Sequence, residues 1–264
     1  MAFTHRNPLA KTLRSLHVPG TPLLLTNVWD GATAKAVTAH PGTKAVATAS
    51  YAIAESTGVS DGELSLPDNL FGIRRVANIV DKAGLPLTAD LQDGYEDIGA
   101  SVRRVIEAGA VGCNVEDEDH AKGGLRGFEE AVERVRIAVA AAREAGVPDF
   151  CINARTDTLV YGGTLDEAIA RGKAFLDAGA LTVFVWGGPS GRGLRDAEIK
   201  KLVEAFGGML NVKMNLREGM LNARELGGLG VARISCGPEL WAKAMGRFKE
   251  VLDETVAGAG AGRG

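Results

Sequence analysis

The chain reads as an α/β protein, a single-domain (β/α)8 barrel. Three observations predict it: eight short apolar runs alternate with helix-like stretches, the length suits one barrel, and the helix ends recur as an Ala-Gly join. The runs are LLLTN (23–27), KAVATAS (44–50), LPLTAD (85–90), VGCNVED (111–117), FCINART (150–156), LTVFVW (181–186), MLNVKMN (209–215) and VARISCG (231–237). Their starts lie 21 to 41 residues apart, room for a strand, a loop, a helix and a return loop. Near-continuous apolar strands suit a parallel sheet covered on both faces. The 264 residues fit the ~250 of a typical barrel.

Between the runs, Thr164 and Glu167 form a capping box, and the helix they open should pass Ala174, Phe175 and Ala178 and stop at Gly179. A second helix is expected from Ser101 through Val102, Val105 and Ile106 to Gly109. Ala83-Gly84, Ala108-Gly109 and Ala178-Gly179 each precede an apolar run. The expected organisation is an N-terminal segment over 1–20, a catalytic barrel over 21–250, and a Gly-rich flexible tail over 251–264 that ends AGAGAGRG.

Composition narrows the function. A net charge of −3, without blocks of like charge, points away from nucleic acid and anionic membranes and toward a small-molecule partner. Cys113, Cys151 and Cys236 are odd in number and far apart, giving neither a disulfide framework nor a zinc site. No apolar segment has the length of a leader core or a membrane span, so a cytoplasmic location is expected. There is no G-x-S-x-G, Walker loop or dinucleotide-binding fingerprint. Gly187-Gly188-Pro189-Ser190-Gly191 is a weak candidate anion cradle.

A barrel carries its site at the C-terminal ends of its strands, and polar residues collect there. They are Trp29 and Asp30 after the first run, Ser50 and Tyr51 with Asp61 after the second, Asp90, Gln92 and Asp93 at the third, Glu116 to His120 at the fourth, and Arg155 at the fifth. Converging carboxylates such as Asp90 and Glu116 repel unless a cation neutralises them, and oxygen donors suit Mg²⁺. Glu118 and Asp119 read more simply as caps of a following helix. Arg155 can clamp a carboxylate or phosphate, or pair with the neighbouring acids. Lys122, in Lys-Gly-Gly-Leu-Arg-Gly, is either on a mobile lid or on a solvated loop. The histidines show no metal-ligand spacing, and only His120, near Lys122, stands out.

Five segments occur in order: Asn-Val-Trp-Asp-Gly-Ala-Thr-Ala (27–34), Ala-Thr-Ala-Ser (47–50) with Gly-Val-Ser-Asp-Gly (58–62), Ala-Asp-Leu-Gln-Asp-Gly-Tyr (89–95), Val-Glu-Asp (115–117) with Lys122, and Asn-Ala-Arg-Thr-Asp (153–157). The ordered set resembles the isocitrate lyase/phosphoenolpyruvate mutase superfamily. The ending Gly-Val-Ala-Arg-Ile-Ser-Cys-Gly-Pro (230–238) is similar to its smaller phosphoenolpyruvate-mutase-like and carboxyphosphonoenolpyruvate-phosphonomutase-like members. The resemblance implies a Mg²⁺-held (or Mn²⁺-held) 2-oxo or enolate acid, with a C–C or P–C bond formed or broken beside it. It implies that Asp90 and Glu116 hold the metal, with Gln92 reaching it through water. It assigns Ala49, Ser50 and Arg155 to the substrate's carboxylate end, Asp61 to support of that site, and Lys122 to a lid reaching in. Trp29 reads as a further substrate contact, and Lys122 or Tyr51 as the group that handles a proton. It also implies a homo-oligomer, dimer or tetramer, with the C-terminal helix exchanged between subunits.

Three departures bear on the reaction. Gln92 stands where a second acid is usual. Lys122-Gly123-Gly124 lacks the lyases' lid cysteine, and it has Gly124 in place of the phosphonomutases' asparagine, as it has Trp186 where some relatives carry histidine. The expected chemistry is a lyase acting on a small 2-oxo or 2-hydroxy (di)carboxylic acid through an enolate. The alternatives are a phosphonomutase-type enzyme and a metabolite-binding barrel whose catalysis has lapsed.

Overall fold

The computed structural model describes residues 2–188 and 193–260. Eight parallel strands close into a barrel: β1 (Leu23–Val28), β2 (Val46–Thr48), β3 (Leu87–Asp90), β4 (Gly112–Glu116), β7 (Cys151–Thr156), β8 (Thr182–Val185), β9 (Leu210–Lys213) and β10 (Arg233–Ser235), with β10 pairing back on β1. Every one of the eight apolar runs coincides with a barrel strand, β1 extending one residue past its run. Two further strands, β5 (Glu118–Asp119) and β6 (Gly124–Leu125), form a small antiparallel hairpin above the mouth. At two residues each they are too short to leave an alternation in the sequence.

The helices are α1 (Asn7–Ser15), α2 (Gly31–Thr38), α3 (Ser50–Thr57), α4 (Leu66–Val80), α5 (Ile98–Glu107), α6 (Phe128–Glu144), α7 (Leu165–Asp177), α8 (Asp196–Ala205), α9 (Ala223–Gly228) and α10 (Glu239–Gly260). The Thr164/Glu167 capping box opens α7 as expected. Gly84, Gly109 and Gly179 have φ of 67°, 114° and 105°, left-handed values that a side chain resists. The Ala-Gly join is thus a repeated device for turning a helix into the next strand.

Helix α1 plugs the N-terminal end of the barrel. Leu13 is wholly buried, and a Cβ at Gly112 would lie 2.9 Å from its Cδ2 and 2.8 Å from the Cys151 carbonyl oxygen. Only glycine lets α1, β4 and β7 meet so closely, and trimming Leu13 to Ala is expected to cost ~2–5 kcal/mol. All three cysteines are buried free thiols, and burial raises each pKa, to about 12 for Cys151 and about 11 for Cys236.

Two boundaries need correction. Helix α5 starts at Ile98 rather than Ser101, because the Asp97 carboxylate accepts the Ala100 N–H and caps it; Ser101 lies buried inside the helix. The segment from 251 is not a flexible tail as far as Gly260, since α10 continues through it. Val251–Val256 holds no Gly or Pro to break the helix, with Leu252 and Glu254 favouring it, and the glycines start only at Gly258. Residues 261–264 lie outside the described residues. Among the described residues, no helix is long and apolar enough to cross a membrane.

Candidate active site

The C-terminal mouth opens into a cavity of about 550 Å³. Its walls include Ala49, Ser50, Tyr51, Asp61, Asp90, Glu116 and Arg155, seven residues marked by the sequence, together with Asn114, Glu118, His120, Asn153, Trp186, Lys213, Arg233 and Glu239.

Asp90 ends β3 with both carboxylate oxygens occupied. Oδ2 accepts from the Ser50 N–H (3.1 Å) and hydroxyl (3.0 Å), and Oδ1 accepts from Asn114 Nδ2 (3.1 Å). Behind it runs a side-chain relay across neighbouring strands. Thr182 donates to Asn153 (2.6 Å), Asn153 to Asn114 (2.7 Å), and Asn114 to Asp90. Such a chain fixes the carboxylate's direction better than packing alone. Burial, then the charge of Glu116, lifts the Asp90 pKa.

Glu116 ends β4, in register with Arg155 on β7. Its Oε2 lies 2.6 Å from Arg155 Nη1, and its Oε1 lies 2.6 Å from His120 Nε2. Burial would raise its pKa, but Arg155 and His120 outweigh burial and hold it below the usual carboxylate range. In return the hydrogen bond to Glu116 lifts His120 to about 9, so the ring is protonated at neutral pH. Arg155 is further fixed by Asp157 (2.9 Å) and stacks 4.0 Å from the Trp186 ring centroid. Both readings of Arg155 thus meet in one residue: it faces the cavity, and it is ion-paired to the acids. Asp61 is lifted to about 6 by burial and by the charges of Asp90 and Glu116. Tyr51, on the cavity wall edge-on to Trp241, is pushed above its ordinary value by burial and by Glu55.

Three marked residues lie elsewhere. Gln92 has φ 52° in the turn after β3, and its Nε2 donates to the Asp61 backbone oxygen (2.6 Å) and carboxylate (3.0 Å) instead of lining the cavity. Trp29 packs on the apolar core behind the mouth. Lys122 is 80% exposed, with Nζ 3.2 Å from Asp119, because the hairpin carries it outward. Glu118 and Asp119 are not helix caps, since α6 starts only at Phe128. Glu118 lines the cavity and accepts from Tyr161 (2.7 Å), while Asp119 and Asp93 both hold Arg126, at 3.1 and 2.8 Å. Of the expected glycine cradle, residues 189–191 lie outside the described residues.

The donor set fits a divalent cation. One ligand atom from each of Glu116, Glu118 and His120 lies within 4.8 Å of the other two, with the Asp90 carboxylate on the same cavity wall. His120 would join a metal only through its neutral ring, so uptake there would release a proton.

Residues 13–256 match the phosphoenolpyruvate phosphomutase family profile. The 2-methylisocitrate lyase of Escherichia coli K12 is 38% identical over 146 residues, covering 48% of this chain and 47% of that enzyme; the chain thus matches about half of that relative's length. A crystal structure from Burkholderia cenocepacia J2315, assigned provisionally as a phosphonomutase, superposes with a TM-score of 0.84 at 36% identity, over 95% of this chain and 99% of that one. The fold is shared at 24% identity with phosphonopyruvate hydrolase solved with oxalate and Mg²⁺ (TM-score 0.82, 98% of this chain, 88% of that one).

Proposed function

The chain belongs to the phosphoenolpyruvate phosphomutase family, within the isocitrate lyase/phosphoenolpyruvate mutase superfamily, and from that membership we propose a Mg²⁺-dependent lyase acting on a small 2-oxo or 2-hydroxy (di)carboxylic acid. The observation that carries the reading is the convergence of Asp90, Glu116 and the doubly paired Arg155 on one wall of the cavity. Asp90 and Glu116, with Glu118 and His120 beside them, would hold the cation. Bound there, Mg²⁺ or Mn²⁺ supplies a positive charge for the oxygen that becomes negative when a bond beside a carbonyl breaks.

The chain's own residues do the rest. Ser50 and the Ala49–Ser50 backbone, on the cavity wall, would receive the substrate's carboxylate end. Arg155, immobilised by Glu116, Asp157 and Trp186, presents a fixed guanidinium that needs no reorganisation during the reaction. Tyr51, on the cavity wall and carrying a phenolic O–H, is the residue proposed to deliver a proton to the cleaved fragment. Lys122 enters only if the hairpin closes. A second copy of the chain is proposed to cover α10, whose Phe248, Val251, Leu252 and Val256 are exposed at helical spacing.

Calorimetry tests the reading. Mg²⁺ uptake should be measurable and should strengthen with oxalate, and turnover of a panel of 2-hydroxy and 2-oxo diacids should depend on Glu116. Phosphonate turnover in place of diacid cleavage would move the assignment to the mutases. Metal and oxalate binding with no turnover would leave a metabolite-binding barrel.

A further inference from the structure

We propose that Arg233 is the anion-recognising residue of the cavity floor, where its guanidinium receives a second carboxylate of the bound acid. The proposal rests on the reading of the mouth as a site for the first carboxylate, and it adds a role that the mouth residues do not supply.

Arg233 stands inside an apolar run, between Ala232 and Ile234, and opens β10. The alternation of β10 turns Arg233 and Ser235 into the cavity and Ile234 into the outer apolar cluster. The residue is only 3% exposed. Its Nε and Nη1 have no hydrogen-bond partner, and among the described residues no carboxylate lies within ion-pair distance of it. Its register neighbour Asn211 donates to Ser235 instead. Burial pushes its pKa down to about 10, outweighing the opposing influence of the Cys151 and Cys113 thiols and of the more distant Asp90 carboxylate.

The other cations around the cavity are committed or solvated. Arg155 is shared between Glu116 and Asp157, Lys213 lies 2.6 Å from Glu239, and Arg217 is exposed. An enclosed charge without a counter-ion is costly and is normally paired. Here Arg233 is among the residues lining the cavity, so an anion that reaches the floor would meet its side chain there. A planar guanidinium recognises a carboxylate in two-point contact. A volume of about 550 Å³ lies within the ~300–1,000 Å³ of ordinary ligand pockets, so the floor and the mouth can hold the two ends of one molecule.

The test compares lactate with malate, which differ by one carboxylate, on full-length wild type, Arg233→Gln and Arg233→Lys, by calorimetry and thermal shift with Mg²⁺, and with chloride as the inorganic arm. Wild type is expected to prefer malate by roughly 10- to 100-fold, the size of one charge-assisted pair. Arg233→Gln should erase that preference while keeping lactate affinity and Tm, and Arg233→Lys should keep part of it. Equal malate preference in wild type and Arg233→Gln overturns the proposal. So does a collapse of Tm with loss of both ligands, which marks a structural role. Chloride that stabilises wild type but not Arg233→Gln, with no malate preference, assigns the floor to an inorganic ion and also overturns it. Failure of the mouth reading looks different: lactate binding would be indifferent to Mg²⁺ and Glu116, while an Arg233-dependent malate preference could still stand.

Discussion

Arg155 and Arg233 face one cavity from two walls of the same barrel, and both are withdrawn from water. On the β3–β4–β7 wall, Arg155 is clasped by two carboxylates; although burial alone would lower its pKa, Asp157 and Glu116 drive it upward. On the β9–β10 wall, Arg233 has no carboxylate ion-paired to it among the described residues, and burial takes it down to about 10 against the weaker pull of Asp90. The contrast teaches that burial sets the cost of a charge, while the partner decides whether that cost falls on the fold or is left for a ligand. The first wall is pre-assembled, and the second is incomplete without its guest.

The largest effect should come from the assembled wall. Arg155→Met leaves Glu116 and Asp157 enclosed without their cation, so a loss of about 3–5 kcal/mol is expected, or roughly 10 °C in Tm by calorimetry, and turnover should drop by about 10³-fold. Melting at the wild-type temperature would show that the clasp is not stabilising. Next, Glu116→Gln should weaken Mn²⁺ binding by about 100-fold, read by titration calorimetry or electron paramagnetic resonance. Arg233→Met is the mirror test. Without ligand it should melt at or above the wild-type temperature, because replacing an unpaired buried charge by an apolar side chain is neutral or stabilising by ~1–4 kcal/mol.

A pH experiment sharpens the same contrast through a neighbour. His17 is buried, with Nδ1 2.7 Å from the Leu13 carbonyl oxygen and no partner for Nε2. Burial first, and then the charge of Arg233, lower its pKa from 6.5 to about 3. Between those values the unfolded chain binds a proton that the folded one refuses. Stability should therefore fall as pH drops below 6.5, by at most ~1.4 kcal/mol per pH unit from this group. His17→Asn should flatten that part of the profile, and Arg233→Met should raise the His17 pKa, as followed by NMR. The smallest effect is reserved for Lys122→Ala, within about 0.5 kcal/mol for an exposed pair. A large fall in turnover with unchanged Tm would reveal that the hairpin closes over substrate.

The barrel was legible because each strand is an apolar run and each αβ join carries its glycine. The acidic wall was legible for a related reason: Asp90, Glu116 and Arg155 are charges at the last positions of apolar runs. What sequence could not show is direction. Gln92 sits beside Asp90 in the chain, yet a left-handed backbone turns it toward Asp61. Trp29 follows Val28, yet it joins the core. Lys122 depends on a hairpin whose strands are two residues long. Arg233 was in plain view within VARIS, and its signal was a charge inside an apolar run, sharing parity with Ser235. His120 and Glu118 emerge only because β5 folds back over the mouth.

The three sealed thiols have a practical consequence. With raised pKa values and no disulfide partners, they should stay silent toward alkylating reagents until the barrel opens, since the thiolate is the reactive form. They sit on the neighbouring strands β4 and β7 and, on another part of the barrel, just beyond β10, so mass-resolved labelling gives the chain three internal clocks. If a bound acid tethers mouth to floor, all three clocks should slow together.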